Sequence, residues 1–159
     1  MIFVTLGSQK FQFNRLLIEI DRLIGEGKIT EEVFAQTGYS DYEPQNYEYK
    51  SFLDRDEFAN IMSKCDKVIT HGGTGAIIGA LKNEKKVIAV PRLQEFGEHV
   101  DNHQLQIVSE FTKMGFITSI NNINELFTEI TNIDSIKFKK YISNTQRIIE
   151  KIKMFLEGE

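Results

Sequence analysis

Apolar residues along the 159-residue chain recur with two periods, one suited to strands and one to helices. Ile2, Phe3, Val4 and Leu6 form a short apolar run that empties into Gly7-Ser8-Gln9, the pattern of a buried strand ending in a loop. Phe13, Leu16, Leu17, Ile20, Leu23 and Ile24 then return every three or four positions as far as Gly25 and Gly27, which predicts an amphipathic helix. Residues 33–38 predict a second strand. The polar, tyrosine-rich stretch 39–49, with Pro44, predicts a surface loop feeding a third strand near 47–52. Asp54, with Glu57 three residues on, has the form of a capping box for a helix reaching about Cys65. Residues 67–70 and 86–90 read as strands, the second stopped by Pro91, with a helix over about 75–82 between them. A loop over 92–98, a helix over 99–114, a strand over 116–120 and a short helix over 123–130 follow. The last periodic segment, 136–157, brings Phe138, Ile142, Ile149, Ile152 and Leu156 to one face and predicts a C-terminal amphipathic helix.

Strands and helices that alternate in this way predict an α/β domain, Rossmann-like, with a mostly parallel sheet and helices on both faces. The length and the lack of any linker or internal repeat give a single domain over 1–159. With 41% hydrophobic residues and no low-complexity tract, the chain has enough apolar surface for a packed core. A net charge of −4 argues against wrapping nucleic acid by bulk electrostatics. The single cysteine, Cys65, cannot close an internal disulfide, which favours the cytoplasm. No run approaches the ~18–20 apolar residues that cross a bilayer, and the N-terminus lacks the basic region of a signal peptide.

In open parallel sheets, ligands bind beyond the carboxyl ends of the strands. Two such ends stand out here: Gly7-Ser8-Gln9 after the first strand, and His71-Gly72-Gly73-Thr74-Gly75 after the fourth. Glycines at a strand-to-helix turn admit a ligand close to the backbone, and the first helical N–H groups and the helix dipole favour phosphate. A tight turn needs only one glycine, so three in four positions favour a phosphate or pyrophosphate cradle. No G-x-x-x-x-G-K-[ST] occurs, which leaves P-loop chemistry unsupported. The run from Gly73 to Gly79 is one residue too long for G-x-G-x-x-G, and the acid 20 residues after Gly75, Glu95, lies beyond a proline. A dinucleotide fit is therefore poor.

Glu98-His99-Val100-Asp101-Asn102-His103-Gln104 gathers two histidines, two acids and two amides at a loop-to-helix junction. On a helix over 99–114, His99 and His103 share one face at a spacing that also suits zinc, but no third ligand and no H-E-x-x-H is present. Amide and carboxylate groups facing a phosphate loop suit a polyhydroxylated ligand, and a capped polar helix is the plainer alternative. His71 serves equally well as a turn-stabilising residue or a ligand contact.

Four segments in order, F-V-T-L-G-S-Q (3–9), T-H-G-G-T-G (70–75), V-I-A-V-P (87–91) and E-H-V-D-N-H-Q (98–104), resemble the donor-binding half of GT-B glycosyltransferases of the MurG type. They are most similar to the small soluble subunits of split transferases, the PssE-like capsule and exopolysaccharide proteins and the cytosolic subunit of the dolichol-linked N-acetylglucosamine transferase. The resemblance covers roughly residues 1–115. It implies that Gly72, Gly73, Thr74 and Gly75, next to His71, hold the donor's diphosphate. It further implies that Asp101, Asn102, His103 and Gln104 meet the donor sugar, and that Gly7, Ser8 and Gln9 face the cleft between two half-enzymes. Such enzymes carry a glutamate for the ribose hydroxyls on the helix after the glycine loop, and this chain has Gly79 there.

The resemblance implies one subunit of a two-component, inverting glycosyltransferase that moves a sugar from a UDP-sugar to a lipid-linked saccharide in capsule or exopolysaccharide biosynthesis, without metal or other cofactor. The acceptor half would be a membrane-anchored, PssD-like partner holding the chain at the membrane from the cytoplasmic side, with the 136–157 helix as docking element. The general base is then expected on that partner, with Glu98, His99 and His103 as weak local candidates. An isolated half-enzyme would cover its exposed apolar patch by forming a homodimer. The alternative is a non-catalytic accessory subunit that enhances a membrane-anchored transferase.

Overall fold

The computed structural model describes residues 1–142. Strands β1 (Ile2–Thr5), β2 (Val33–Gln36), β3 (Glu48–Lys50), β4 (Lys67–His71), β5 (Lys86–Val90) and β6 (Thr118–Ser119) form one sheet in the order β3-β2-β1-β4-β5-β6. Every neighbouring pair is parallel. The helices are α1 (Asn14–Gly25), α2 (Arg55–Lys64), α3 (Thr74–Lys82), α4 (His103–Lys113) and α5 (Leu126–Asn132), with short 3₁₀ turns at Gln94–Phe96, Ile123–Glu125 and Ile133–Ser135. The expected α/β sheet is therefore present.

Alternation along each strand divides the core into two layers. Ile2 and Val4 of β1, Val33 and Ala35 of β2, Ile69 of β4 and Ile88 and Val90 of β5 point to one face. There they meet Leu16, Leu17, Ile20 and Leu23 of α1 and Leu126 and Ile130 of α5. Phe3, Val68, Val87 and Ala89 point to the other, against Met62 of α2, Ile77, Ala80 and Leu81 of α3, and Ile107, Val108 and Phe111 of α4. Buried on both sides, these strands read as continuous apolar runs. Capping follows the sequence at α2, where the Asp54 carboxylate accepts from the N–H of Glu57 at 2.8 Å.

Two expected elements differ. The helix expected over 99–114 begins only at His103, because residues 98–102 are drawn into the loop by the contacts described below. The helix expected from 136 does not form over 136–142, and the rest of that segment lies outside the described residues. Ile136 has extended backbone, and Lys139 donates its N–H to the carbonyl of Gly115. Phe138 packs with the α1 layer and Tyr141 with the opposite one, so the strand-like path serves both cores, which one helix face could not.

Candidate functional site

Strand order reverses between β1 and β4, which lie side by side with Thr5 opposite Thr70. The loops leaving these two strands diverge to opposite sides of the sheet and leave a crevice between them. The two glycine segments singled out by sequence are the two walls of this crevice.

Contacts fix the walls to each other. Gly7 has φ +71, and a Cβ there would sit 2.7 Å from Nε2 of His71. Gly38, at the end of β2, approaches Gly7 so closely that a Cβ would meet its carbonyl oxygen at 2.9 Å. A Cβ on Gly73 would overlap the His71 ring at 2.2 Å, and one on Gly72 would strike Gln104 and Val108 at 2.8 Å. Gly75 differs, because nothing lies within 4 Å of its Cβ position. Gly72 and Gly73 are thus small because the protein packs on them, whereas Gly75 faces open space.

Gly73 precedes α3, whose first N–H groups have no intrahelical acceptor until Ile77 reaches the Gly73 carbonyl at 3.1 Å. The hydroxyl of Thr74, in the first turn, is buried and has no partner among the described residues. This end of α3 is a set of converging donors at the positive pole of a helix.

Gln104 organises the floor. Its Oε1 accepts from the N–H of Gly72 at 2.9 Å and that of Arg92 at 3.0 Å. Its Nε2 then faces Nδ1 of His71 at 3.2 Å, where the Gly73 N–H also donates at 3.1 Å. Two donors on Nδ1 assign the proton of the neutral ring to Nε2. Burial, reinforced by the positive charge of Arg92, pushes the His71 pKa down to about 3. The ring is neutral, with Nε2 turned toward Gly7.

Asp101, Asn102 and His103 stand at the start of α4. The Asp101 carboxylate accepts from the His103 N–H at 3.0 Å and lies 3.1 Å from Nδ1 of His99 and 2.8 Å from Nδ1 of His103. That backbone hydrogen bond, with the nearby histidines, holds its pKa below the usual carboxylate range. His99 precedes the helix, so the shared helical face expected for the two histidines is replaced by a shared carboxylate. Asn102 accepts from the N–H of Gln94 at 2.9 Å. Ser8 and Gln9 are exposed on the crevice rim. Among the described residues, no group of three or more His, Cys, Asp or Glu is placed to hold a metal ion.

Glu98 is fully buried, and both its oxygens are engaged by Arg15 at 3.0 Å, with the Leu93 N–H donating to Oε1 at 3.0 Å. A carboxylate so occupied ties α1 to the loop after β5. Arg15 and Arg92 were not singled out by sequence, because nothing in the local pattern marks a charged residue for burial. A cavity of about 360 Å³ at the opposite ends of the strands, lined by Leu81, Lys86, Phe116 and Tyr141 among others, shares no residue with this crevice.

No helix among the described residues is long and apolar enough to cross a membrane. The chain is similar to two fungal proteins named UDP-N-acetylglucosamine transferase subunit ALG13. It is 29% identical over 110 residues to that of Candida albicans, covering 69% of this chain and 34% of the relative. It is 41% identical over 56 residues to that of Candida glabrata, covering 35% and 26% respectively. The chain thus spans about a third or less of these relatives' own length. Its fold matches the solution structure of ALG13 with a TM-score of 0.58 and 19% identity, covering 87% of both chains. Acinetobacter baumannii MurG matches with a TM-score of 0.58 and 18% identity, over 84% of this chain and 42% of MurG. These structures share the GT-B type of Rossmann-like domain. Over residues 1–156 the sequence matches the glycosyltransferase family 28 C-terminal domain, and the chain belongs to that family.

Proposed function

We propose that this chain is the donor-binding subunit of a two-component glycosyltransferase that takes a sugar from a UDP-sugar, with UDP-N-acetylglucosamine as the first donor to try. The observation that carries this reading is the crevice at the strand-order reversal, where the open face of Gly75, the α3 N-terminus and the unpartnered Thr74 hydroxyl converge. Such donors suit the diphosphate of a nucleotide sugar.

In the transfer, an acceptor hydroxyl attacks the anomeric carbon while the bond to the β-phosphate oxygen breaks, and UDP leaves with the negative charge. The backbone N–H groups at the start of α3 are aimed at the place where that charge grows, with no reorganisation required. The attacking hydroxyl must lose a proton. Glu98 is paired and buried, and Nδ1 of His71 is already accepting hydrogen bonds, so neither is free to take it. We place the base on a second chain that carries the acceptor site, with inversion at the anomeric carbon; His99 and His103, which both lie against the Asp101 carboxylate, are the local alternatives.

Exposed apolar side chains border the crevice. Tyr39 and Phe52 pair edge to face at 5.2 Å after β2 and β3, and Phe96, Val100 and Leu105 follow β5. This apolar rim supports a membrane-anchored, PssD-like partner bringing a lipid-linked saccharide in capsule or exopolysaccharide assembly, with this chain on the cytoplasmic side.

Calorimetric titration with UDP and a panel of UDP-sugars, against ATP and NAD, tests the reading. Saturable binding of UDP species alone is expected. No binding by the chain, and none gained in a complex co-expressed with the partner, would reduce it to an accessory subunit.

A further inference from the structure

Arg92 is the largest fully buried side chain among the described residues, at 1% exposure. Its Nη1 donates to the carbonyls of Phe11 at 3.1 Å, Gln12 at 3.3 Å and Glu98 at 3.3 Å, and Nη2 to that of Leu6 at 2.6 Å. The guanidinium carbon lies 5.1 Å from the ring centre of Phe13. Nε is buried and has no partner among the described residues. Four carbonyls therefore hold the cation, but among the described residues no carboxylate hydrogen-bonds to it. The nearby acid, Glu98, spends its carboxylate on Arg15 and the Leu93 N–H and offers Arg92 only its backbone oxygen.

Arg15, Arg92 and Glu98 together leave one positive charge in excess behind the crevice. Its neighbour His71 is neutral and leaves that charge unchanged. Burying an uncompensated cation is costly, and the cost is relieved by an anion bound close by. The Leu6–Gln12 backbone gripped by Arg92 is the wall of the crevice that faces Gly72–Gly75.

We propose that Arg92 is a positioning residue whose buried charge gives the crevice its preference for a diphosphate: it holds the loop after β1 in place, and its field acts through weakly screening protein on an anion seated at the start of α3. The inference rests on the donor-site reading above and deepens it by assigning the source of phosphate selectivity.

The test is titration of the full chain with UDP and with uridine, for the wild type, Arg92→Met, Arg92→Lys and Glu98→Gln. The wild type is expected to prefer UDP. Arg92→Met is expected to lose about tenfold in UDP affinity while uridine affinity holds, and Arg92→Lys to keep most of the preference. Glu98→Gln retains an acceptor for Arg15 but raises the local charge from one to two, so UDP affinity is expected to rise by about threefold against uridine. A role in packing alone predicts that UDP and uridine affinities move together in every variant, and that result would overturn the proposal. Should Arg92→Met fail to fold, the Arg92→Lys and Glu98→Gln pair still decides by the sign of the change. A wild type that does not distinguish UDP from uridine would instead sink the donor-site reading itself.

Discussion

The side-chain amide of Gln104 reaches the imidazole of His71 across 33 positions of sequence, Nε2 to Nδ1 at 3.2 Å, while its oxygen takes the N–H groups of Gly72 and Arg92. One residue at the start of α4 thereby sets the tautomer of the histidine, the path of the glycine turn and the exit of β5. Replacing Gln104 with Ala strands two buried N–H groups and removes one of the two donors to a buried ring nitrogen. Urea unfolding should show a loss of about 2–4 kcal/mol, with weaker UDP binding. A loss under about 0.5 kcal/mol would mean that water replaces the amide without cost.

The glycines of the turn separate by role. Gly75→Ala adds a methyl group to open space inside a helix, so stability should rise by about 0.5–1 kcal/mol. The same methyl group narrows the approach to the α3 N-terminus, so UDP affinity should fall. Gly73→Ala drives a Cβ into the His71 ring and should destabilise the fold outright. Thermal melting and calorimetry on the two variants give the comparison, and a Gly75→Ala protein with unchanged UDP affinity would count against the cradle.

The resemblance to MurG-type enzymes implies a ribose-binding glutamate at the position of Gly79, and among the described residues nothing lies within 4 Å of a Cβ there. Gly79→Glu should be accommodated, strengthen α3 by about 0.5–1 kcal/mol and tighten UDP binding by a few-fold. Equal affinity for UDP before and after the change would locate ribose recognition elsewhere on the chain.

His71 makes stability depend on pH. Its folded-state pKa of about 3 lies below the ~6.5 of an unfolded histidine, so between those values the unfolded chain binds the extra proton. Stability from this group is full above about pH 6.5 and declines as pH falls toward 3, by up to about 1.4 kcal/mol per pH unit. Urea titrations at pH 7, 6 and 5 should show the decline in the wild type and a flatter profile in His71→Gln. Asp21, whose hydrogen bonds from Tyr42, Gln45 and Asn46 outweigh its burial and hold its pKa below the usual range, titrates below that window.

Asp21 offers a control away from the crevice. It accepts from Tyr42 Oη at 2.6 Å and from the N–H groups of Gln45 and Asn46 at 2.8 Å, pinning the loop before β3 to α1. Asp21→Ala should cost about 2–4 kcal/mol on urea unfolding, because several donors lose a charged acceptor at once. UDP affinity should stay as in the wild type at temperatures where the variant is folded.

Local pattern alone determined the order of strands and helices, the capping of α2 by Asp54 and the two glycine segments, because periodicity, caps and turns are properties of neighbouring residues. The unbroken apolar run Ile2-Phe3-Val4 already implied a strand buried on both faces. Only the tertiary structure decided which strand ends meet, since the reversal between β1 and β4 is set by packing and not by residues 1–9 or 67–75 in isolation. It also decided that α4 starts only at His103 and that 136–142 form no helix, where the pairing of Glu98 with Arg15 and the bond from the Lys139 N–H to the Gly115 carbonyl outweigh a helical period. Arg92 and Glu98 look in the sequence like ordinary loop charges. They are buried because carbonyl groups from Leu6 to Gln12, and the guanidinium of Arg15, are brought to them from more than 75 positions away. A charge is taken out of water only when such partners are assembled around it, and that assembly exists only in the folded chain.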